Sequence, residues 1–150
     1  MRLSRLAFVS VILAAPIAQA QQSQADKLFE EGSALMKDNK FSEACPKFEQ
    51  SNKLDPQVGG YLWLADCYER NGQTASAYKT YKDAQKMAIE KKDKQQRDKV
   101  AQKHIATIEG HLTKLTILAP SENKPDGIEI ARDGEKLGGS DLGLAVPMDP

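Results

Sequence analysis

The stretch ADKLFEEGSALMKDNKFSEACPKFEQSNKLDPQ, residues 25–57, runs directly into VGGYLWLADCYERNGQTASAYKTYKDAQKMAIE, residues 58–90, and the two share one pattern. In the first copy Leu28, Gly32, Leu35, Asn39, Ala44, Phe48, Ser51 and Pro56 stand at positions 4, 8, 11, 15, 20, 24, 27 and 32. In the second, Tyr61, Leu64, Ala65, Tyr68, Gly72, Ala77, Tyr81 and Ala84 stand at positions 4, 7, 8, 11, 15, 20, 24 and 27. The period is 33 residues. Fixed periods of this size mark architectures in which one supersecondary unit is stacked on the next. Small residues at positions 8 and 20 let two antiparallel helices approach closely, Gly32 with Ala44 and Ala65 with Ala77, while the aromatic at 24 fills the space beside them.

Punctuation agrees with this reading. Asn39 and Gly72 fall between the helices of each pair, where a left-handed backbone is often required, and Pro56 follows Asp55 where a helix must stop. Over about residues 25–90 these positions resemble the tetratricopeptide repeat family, whose period is about 34 residues. Two residues depart from the family pattern. Glu31 holds position 7, normally apolar, and Pro46 lies within the first turns of its helix, where proline is tolerated only near the start.

Two such hairpins leave an apolar face that something must cap. After Met87 and Ile89 the chain turns polar from Glu90 to Asp98, then resumes an apolar stripe at Val100, Ala101, Ile105, Ile108, Leu112 and Leu115. The spacing of positions 101, 105, 108 and 112 is helical. It predicts a capping helix over about 93–112, separated from the preceding one by a break at Lys91 to Gln96; one long bent helix is the alternative.

Beyond Gly110 the period changes to two, with Leu115, Ile117, Ile128, Ile130 and Leu137 alternating with polar residues. Strands are expected at about 113–118, 127–132, 135–138 and 143–147. Asp133-Gly134 signals a hairpin, and Gly138-Gly139 reads as a turn. The order LTKLTILAP, GIEIARDGEKLG, GLAVPMDP is similar to the PEGA-type β-domains that follow tetratricopeptide repeats in many exported bacterial envelope proteins. In that family the last phrase continues into another strand, so either the domain is minimal or the chain is a fragment of a longer product, the second being the preferred reading. The expected fold is mainly α: two tetratricopeptide-like hairpins plus a capping helix, then a short, incomplete antiparallel β-sandwich segment. The expected domains are a signal peptide at 1–20, a helical domain at 21–112 and the β-segment at 113–150.

Export is read from the start. Arg2 and Arg5 precede an apolar stretch from Leu6 to Ile17, and Ala18-Gln19-Ala20 forms a small-x-small cleavage site, which together describe a secretory signal cut after Ala20. Ser10 and Pro16 interrupt the apolar stretch, which is shorter than the roughly 20 residues that cross a bilayer. No cysteine follows it directly, which argues against a lipid anchor. The expected location is the periplasm or cell envelope.

Without Arg2 and Arg5 the chain carries 19 basic and 21 acidic side chains, divided as 5 and 7 over residues 21–56, 10 and 7 over 57–112, and 4 and 7 over 113–150. The cluster Lys91, Lys92, Lys94, Arg97 and Lys99 is interleaved with Asp93 and Asp98, as on a solvated helix face. Nucleic acid is not expected as a partner. Cys45 and Cys67 form no CxxC pair, so redox catalysis and zinc binding lack a signature. An oxidising compartment permits a bridge between them, and two buried thiols are the other reading. His104 and His111 share a helical face with Ile108 between them and no acidic ligand, so no metal is expected. The serines lack a Gly-x-Ser-x-Gly elbow and no Gly-rich phosphate loop occurs. We therefore expect no enzyme, no catalytic residue and no cofactor.

The resemblance implies that the first helix of each hairpin lines a concave groove able to hold an extended peptide or a helix. By repeat position the walls present Asp26, Phe29, Ser33, Met36 and Lys37, then Leu62, Trp63, Asp66 and Arg70. Family members that grip a peptide carboxylate use Lys and Asn where this chain has Phe29 and Ser33, so that chemistry is not expected. The leading reading is a non-enzymatic interaction module or scaffold of the bacterial envelope that binds a protein partner through the groove. The alternatives are a structural component contacting cell-wall polymer or the membrane surface, and the amino-terminal part of a longer protein whose activity lies beyond Pro150.

Overall fold

The computed structural model describes residues 15–118, 129–132, 135–136 and 142–150. The basic start and most of the apolar run of the expected signal lie outside the described residues, as do the Asp133-Gly134 and Gly138-Gly139 turns. Five helices carry the fold: α1 (Ala15–Lys37), α2 (Phe41–Leu54), α3 (Val58–Arg70), α4 (Thr74–Glu90) and α5 (Arg97–Glu109). Helix α1 runs through the expected cleavage point at Ala20. Among the described residues no helix is long and apolar enough to cross a membrane.

Successive helices run antiparallel, which the order of their contacts shows. Ser51 Oγ donates to the Ala25 carbonyl at 2.8 Å and Lys47 Nζ to Glu31 Oε2 at 2.7 Å, so numbers rise on α1 as they fall on α2. The Tyr81 hydroxyl donates to Glu69 at 3.0 Å across α3 and α4, and Tyr78 to Glu109 at 3.3 Å across α4 and α5. Glu31, the departure at position 7, is therefore held by Lys47 at the hairpin seam, whose hydrogen bond and charge lower its carboxyl below the usual range. Pro46 lies inside α2, on its exposed side. There the Ser42 carbonyl that loses its helical donor also belongs to an exposed residue.

Both repeats end their first helix in the same way. Asn39 has φ 58° and Gly72 φ 81°; Lys40 N–H reaches back to the Leu35 carbonyl, and Gln73 N–H to the Tyr68 carbonyl, each at 2.9 Å. These are left-handed helix ends that satisfy carbonyls otherwise left open. Lys92, φ 50°, closes α4 similarly, with Asp93 N–H on the Ala88 carbonyl at 2.9 Å. That ending separates α4 from α5, so the break expected at Lys91 to Gln96 is present and the capping helix is shorter than the 93–112 expected.

Asp93 then starts α5. Its carboxylate accepts from the Arg97 N–H at 3.1 Å and from the Arg97 guanidinium at 2.9 and 2.7 Å. The hydrogen bonds from Arg97 hold its pKa at about 2, below the ordinary aspartate value of 3.8. A lowered pKa means that this fastening is complete above the unfolded carboxyl's pKa and is lost as pH falls from about 4 toward about 2. A carboxyl-carbon NMR titration of Asp93 is expected to give a midpoint near 2; a midpoint at the ordinary 3.8 would contradict the bidentate pair.

The core forms two connected clusters. One gathers Met36, Ala44, Cys45, Phe48, Leu64 and Cys67 between the first hairpin and α3. The other gathers Ala65, Ala77, Tyr81, Ala84, Ala101 and Ile108 between the second hairpin and α5. The small and aromatic positions work as the spacing implied. A Cβ on Gly32 would stand 3.0 Å from the Phe48 ring, and Ala65, Ala77 and Tyr81 are at most 1% exposed.

The carboxyl-terminal stretch differs from expectation. Strand β1 (Lys114–Thr116) pairs antiparallel with β4 (Ala145–Pro147), placing Leu115 opposite Val146, and β2 (Ala131–Arg132) pairs with β3 (Glu135–Lys136). Among the described residues these are two separate two-stranded ladders, and the expected sandwich segment is not seen. A sandwich buries the inner faces of two sheets against each other. Among the described residues the strands are two or three residues long and Leu118 and Leu144 are exposed, so no such shared face is present there. The segment is instead tied to the helices by Asp149, whose carboxylate accepts from the Ala75 N–H at 2.7 Å and from the Ser76 N–H and hydroxyl. Helix α4 has no cap from its own preceding residue; a carboxylate at its first turn supplies one.

Candidate functional site

Trp63 on α3 stands between two clefts and is 44% exposed, although it touches the core. Its ring packs edge-to-face on Phe29 of α1 at 5.9 Å and tilted on Phe48 at 6.0 Å. On one side a cleft of about 240 Å³ opens between α1 and α3, walled by Asp26, Phe29 and Trp63. The end of α2 and the α2–α3 linker close it with Asn52, Asp55, Gln57 and two glycines. On the other side a cleft of about 200 Å³ lies between α3 and α5, lined by Leu62, Trp63, Asp66, Tyr81, Val100 and His104.

The structure sorts the expected groove residues. Asp26, Phe29 and Trp63 come together in the first cleft, and Leu62, Trp63 and Asp66 in the second. Arg70 is exposed beside that second group and pairs with Asp66 at 3.0 Å. Lys37 is exposed near the hairpin turn and lines neither cleft. Ser33 is half-buried, its hydroxyl without a hydrogen-bond partner among the described residues. Met36 is a correction: it is 6% exposed and belongs to the core with Cys45 and Phe48, because the end of α1 turns that face onto α2. Cys45 and Cys67, for which a bridge and two thiols were both open, are joined as a disulfide between α2 and α3, with Cα atoms 5.6 Å apart.

Several lining residues were not anticipated. Asn52, Asp55 and Gln57 come from the end of α2 and the linker, and Val100 and His104 from α5. Val100 and His104 stand four apart, a one-face helical spacing visible in the sequence; the linker residues carry no such signal. His104 Nδ1 lies 3.1 Å from Glu69 Oε2, a carboxylate absent from the sequence argument, and its ring stacks on Tyr81 at 4.6 Å. Burial, followed by the Glu69 charge, pushes the Tyr81 phenol well above its ordinary pKa, so the hydroxyl stays a donor to Glu69. His111 is exposed. Among the described residues no group of three or more His, Cys, Asp or Glu side chains is placed to share a metal ion.

A third cleft, of about 820 Å³, separates α4 from the carboxyl-terminal strand and is lined by Tyr78, Lys79, Lys82, Val146, Met148 and Asp149 among others. The Asp149 tether bridges it at the first turn of α4.

No family model matches the chain, and no curated protein matches it. Among solved structures it is similar to a protein of Bordetella parapertussis whose structure was determined in solution, with a TM-score of 0.52 and 18% identity over 67% of this chain and 91% of that one. That likeness concerns the mainly helical fold alone.

Proposed function

We propose that the protein is a non-enzymatic interaction module, exported to the bacterial envelope, that holds a protein partner along the face formed by α1, α3 and α5. The observation that carries this reading is Trp63: a large aromatic 44% exposed at the junction of two clefts, in a position where aromatic anchors concentrate binding energy. Val100, 47% exposed on α5, extends the apolar strip. The hairpins are of tetratricopeptide type in this reading, supported by the 33-residue period and by the fit of Phe48 against Gly32. The carboxyl-terminal ladders are the described part of a PEGA-like segment, which serves as a second contact or spacer.

The test is crosslinking of the purified chain in native envelopes, compared with Trp63→Ala and Val100→Asp. Val100 is exposed, so its replacement leaves the fold intact; Trp63 packs on Phe29 and Phe48, so its melting temperature falls by a few degrees. Both variants are expected to reduce the crosslinked product about tenfold, the effect of losing one interface anchor. Undiminished crosslinking in both, or retention on purified cell-wall polymer alone, removes the reading.

A further inference from the structure

We propose that the cleft between α1 and α3 receives a lysine or arginine side chain projecting from the partner, an inference that rests on the groove reading above and gives the partner a chemistry. At about 240 Å³ the cleft is below the size of ordinary small-molecule pockets and suits one long side chain. Its lining contributes two carboxylates, Asp26 and Asp55, and no cation.

Neither carboxylate is neutralised by an ion pair among the described residues. Asp26 accepts only from the neutral Gln22 amide at 3.2 Å, and Asp55 only from Gln57 at 2.9 and 3.2 Å. The walls are the rings of Phe29 and Trp63, and aromatic faces favour a cation, most of all a guanidinium. The aliphatic stem of a basic side chain lies along such rings while its head meets the carboxylates.

Lys91 Nζ donates to the Pro56 carbonyl at 3.3 Å, and Arg97, near Gly59, is paired with Asp93. They leave Asp26 and the two rings as the end that meets an incoming charge.

The backbone of the partner also has a place. Asn52 is 7% exposed, yet its Nδ2 has no acceptor among the described residues. A buried donor without a partner is costly; Nδ2 is shielded in this structure, so a turn of the Asn52 carboxamide toward the cleft is what lets a carbonyl of the entering segment relieve it. The Asn52 carboxamide lies against Gly60, where a Cβ would come within 2.2 Å of Oδ1, so glycine at 60 is what admits it.

Trp63 is the single tryptophan of the chain, so its indole N–H signal and emission report the cleft. The experiment titrates the protein with three blocked tripeptides, Gly-Arg-Gly, Gly-norleucine-Gly and Gly-Glu-Gly, and follows the Trp63 indole and the Asn52 side-chain amide by NMR. The arginine peptide is expected to shift both signals saturably, at an affinity about fivefold or more above the norleucine peptide. That preference is expected to vanish in Asp26→Asn with Asp55→Asn, whose other amide signals should superimpose on the parent. Norleucine or glutamate binding as well as arginine overturns the inference and leaves the groove reading standing. Absence of any shift with arginine overturns it too, while the fate of the groove reading is read separately from the Trp63 and Val100 crosslinking variants.

Discussion

Phe48→Ala is expected to cost about 3–5 kcal/mol of folding stability, the range for removing a fully buried phenylalanine. The ring is 0% exposed and touches three elements at once: its own helix, Gly32 of α1, and Trp63 of α3. Phe29 packs on it edge-to-face at 5.3 Å. Relaxation is the usual way to reduce such a loss, but here it has little to draw on. Gly32 has no side chain to lean into the void, and the disulfide holds α2 at its distance from α3. Since domains of this size are stable by only about 5–15 kcal/mol, the loss is a large fraction of the total. Urea unfolding followed by circular dichroism measures it. A loss below about 1.5 kcal/mol, the range of a volume-conserving swap, would show that position 24 of the repeat does not organise the hairpin.

The same pair shows why so much of the helical part was legible. Positions 8, 20 and 24 of a hairpin meet within one local unit, so the approach of Gly32, Ala44 and Phe48 is written in a single stretch of chain, and Ala65, Ala77 and Tyr81 repeat it. Asn39 and Gly72 were legible because a left-handed helix end makes a residue-specific demand. Met36 was misplaced by the same logic carried too far. Repeat position names a helix face, but the hairpin turn brings Phe41 and Cys45 over the last turn of α1, and that contact decides burial.

Features that depend on distant chain segments left no mark. The floor of the α1–α3 cleft comes from the far end of α2 and its linker, and no local pattern marks Asn52. Asp149 reaches Ala75 and Ser76 from more than seventy positions away, and no local pattern predicts a cap delivered from there. The period of two after Gly110 announced strands, and Asp133-Gly134 announced the antiparallel pairing of β2 with β3, but nothing local marked the pairing of β1 with β4. Alternation fixes which side chains share a face; it does not say which strand lies alongside which. The first cleft was thus half visible: Asp26, Phe29 and Trp63 by repeat position, its floor and Asp55 only by assembly.

The disulfide supplies the other large effect. Cys45→Ala with Cys67→Ala is expected to lower stability by about 3 kcal/mol, the chain-entropy value for a closed loop of this length. In a domain of this size that is about 12–24 °C in melting temperature. The bridge joins the two hairpins rather than the helices of one, so the loss should fall on the α2–α3 seam. Apart from the bridge, that seam is held by the Tyr68 hydroxyl donating to Glu49 at 2.6 Å and by Phe48 against Trp63. Burial and the Glu49 carboxylate raise the Tyr68 pKa, so that hydrogen bond persists at any ordinary pH. Helical content at 25 °C should therefore stay close to the parent, while amide exchange quickens in α3 and the Trp63 emission moves to longer wavelength as the first cleft loosens. Because disulfides form in oxidising compartments, parent protein made under reducing conditions should melt like the double variant and recover on oxidation. A melting temperature unchanged within about 2 °C would mean that packing alone sets the seam and that Cys45 and Cys67 matter to it only as buried side chains.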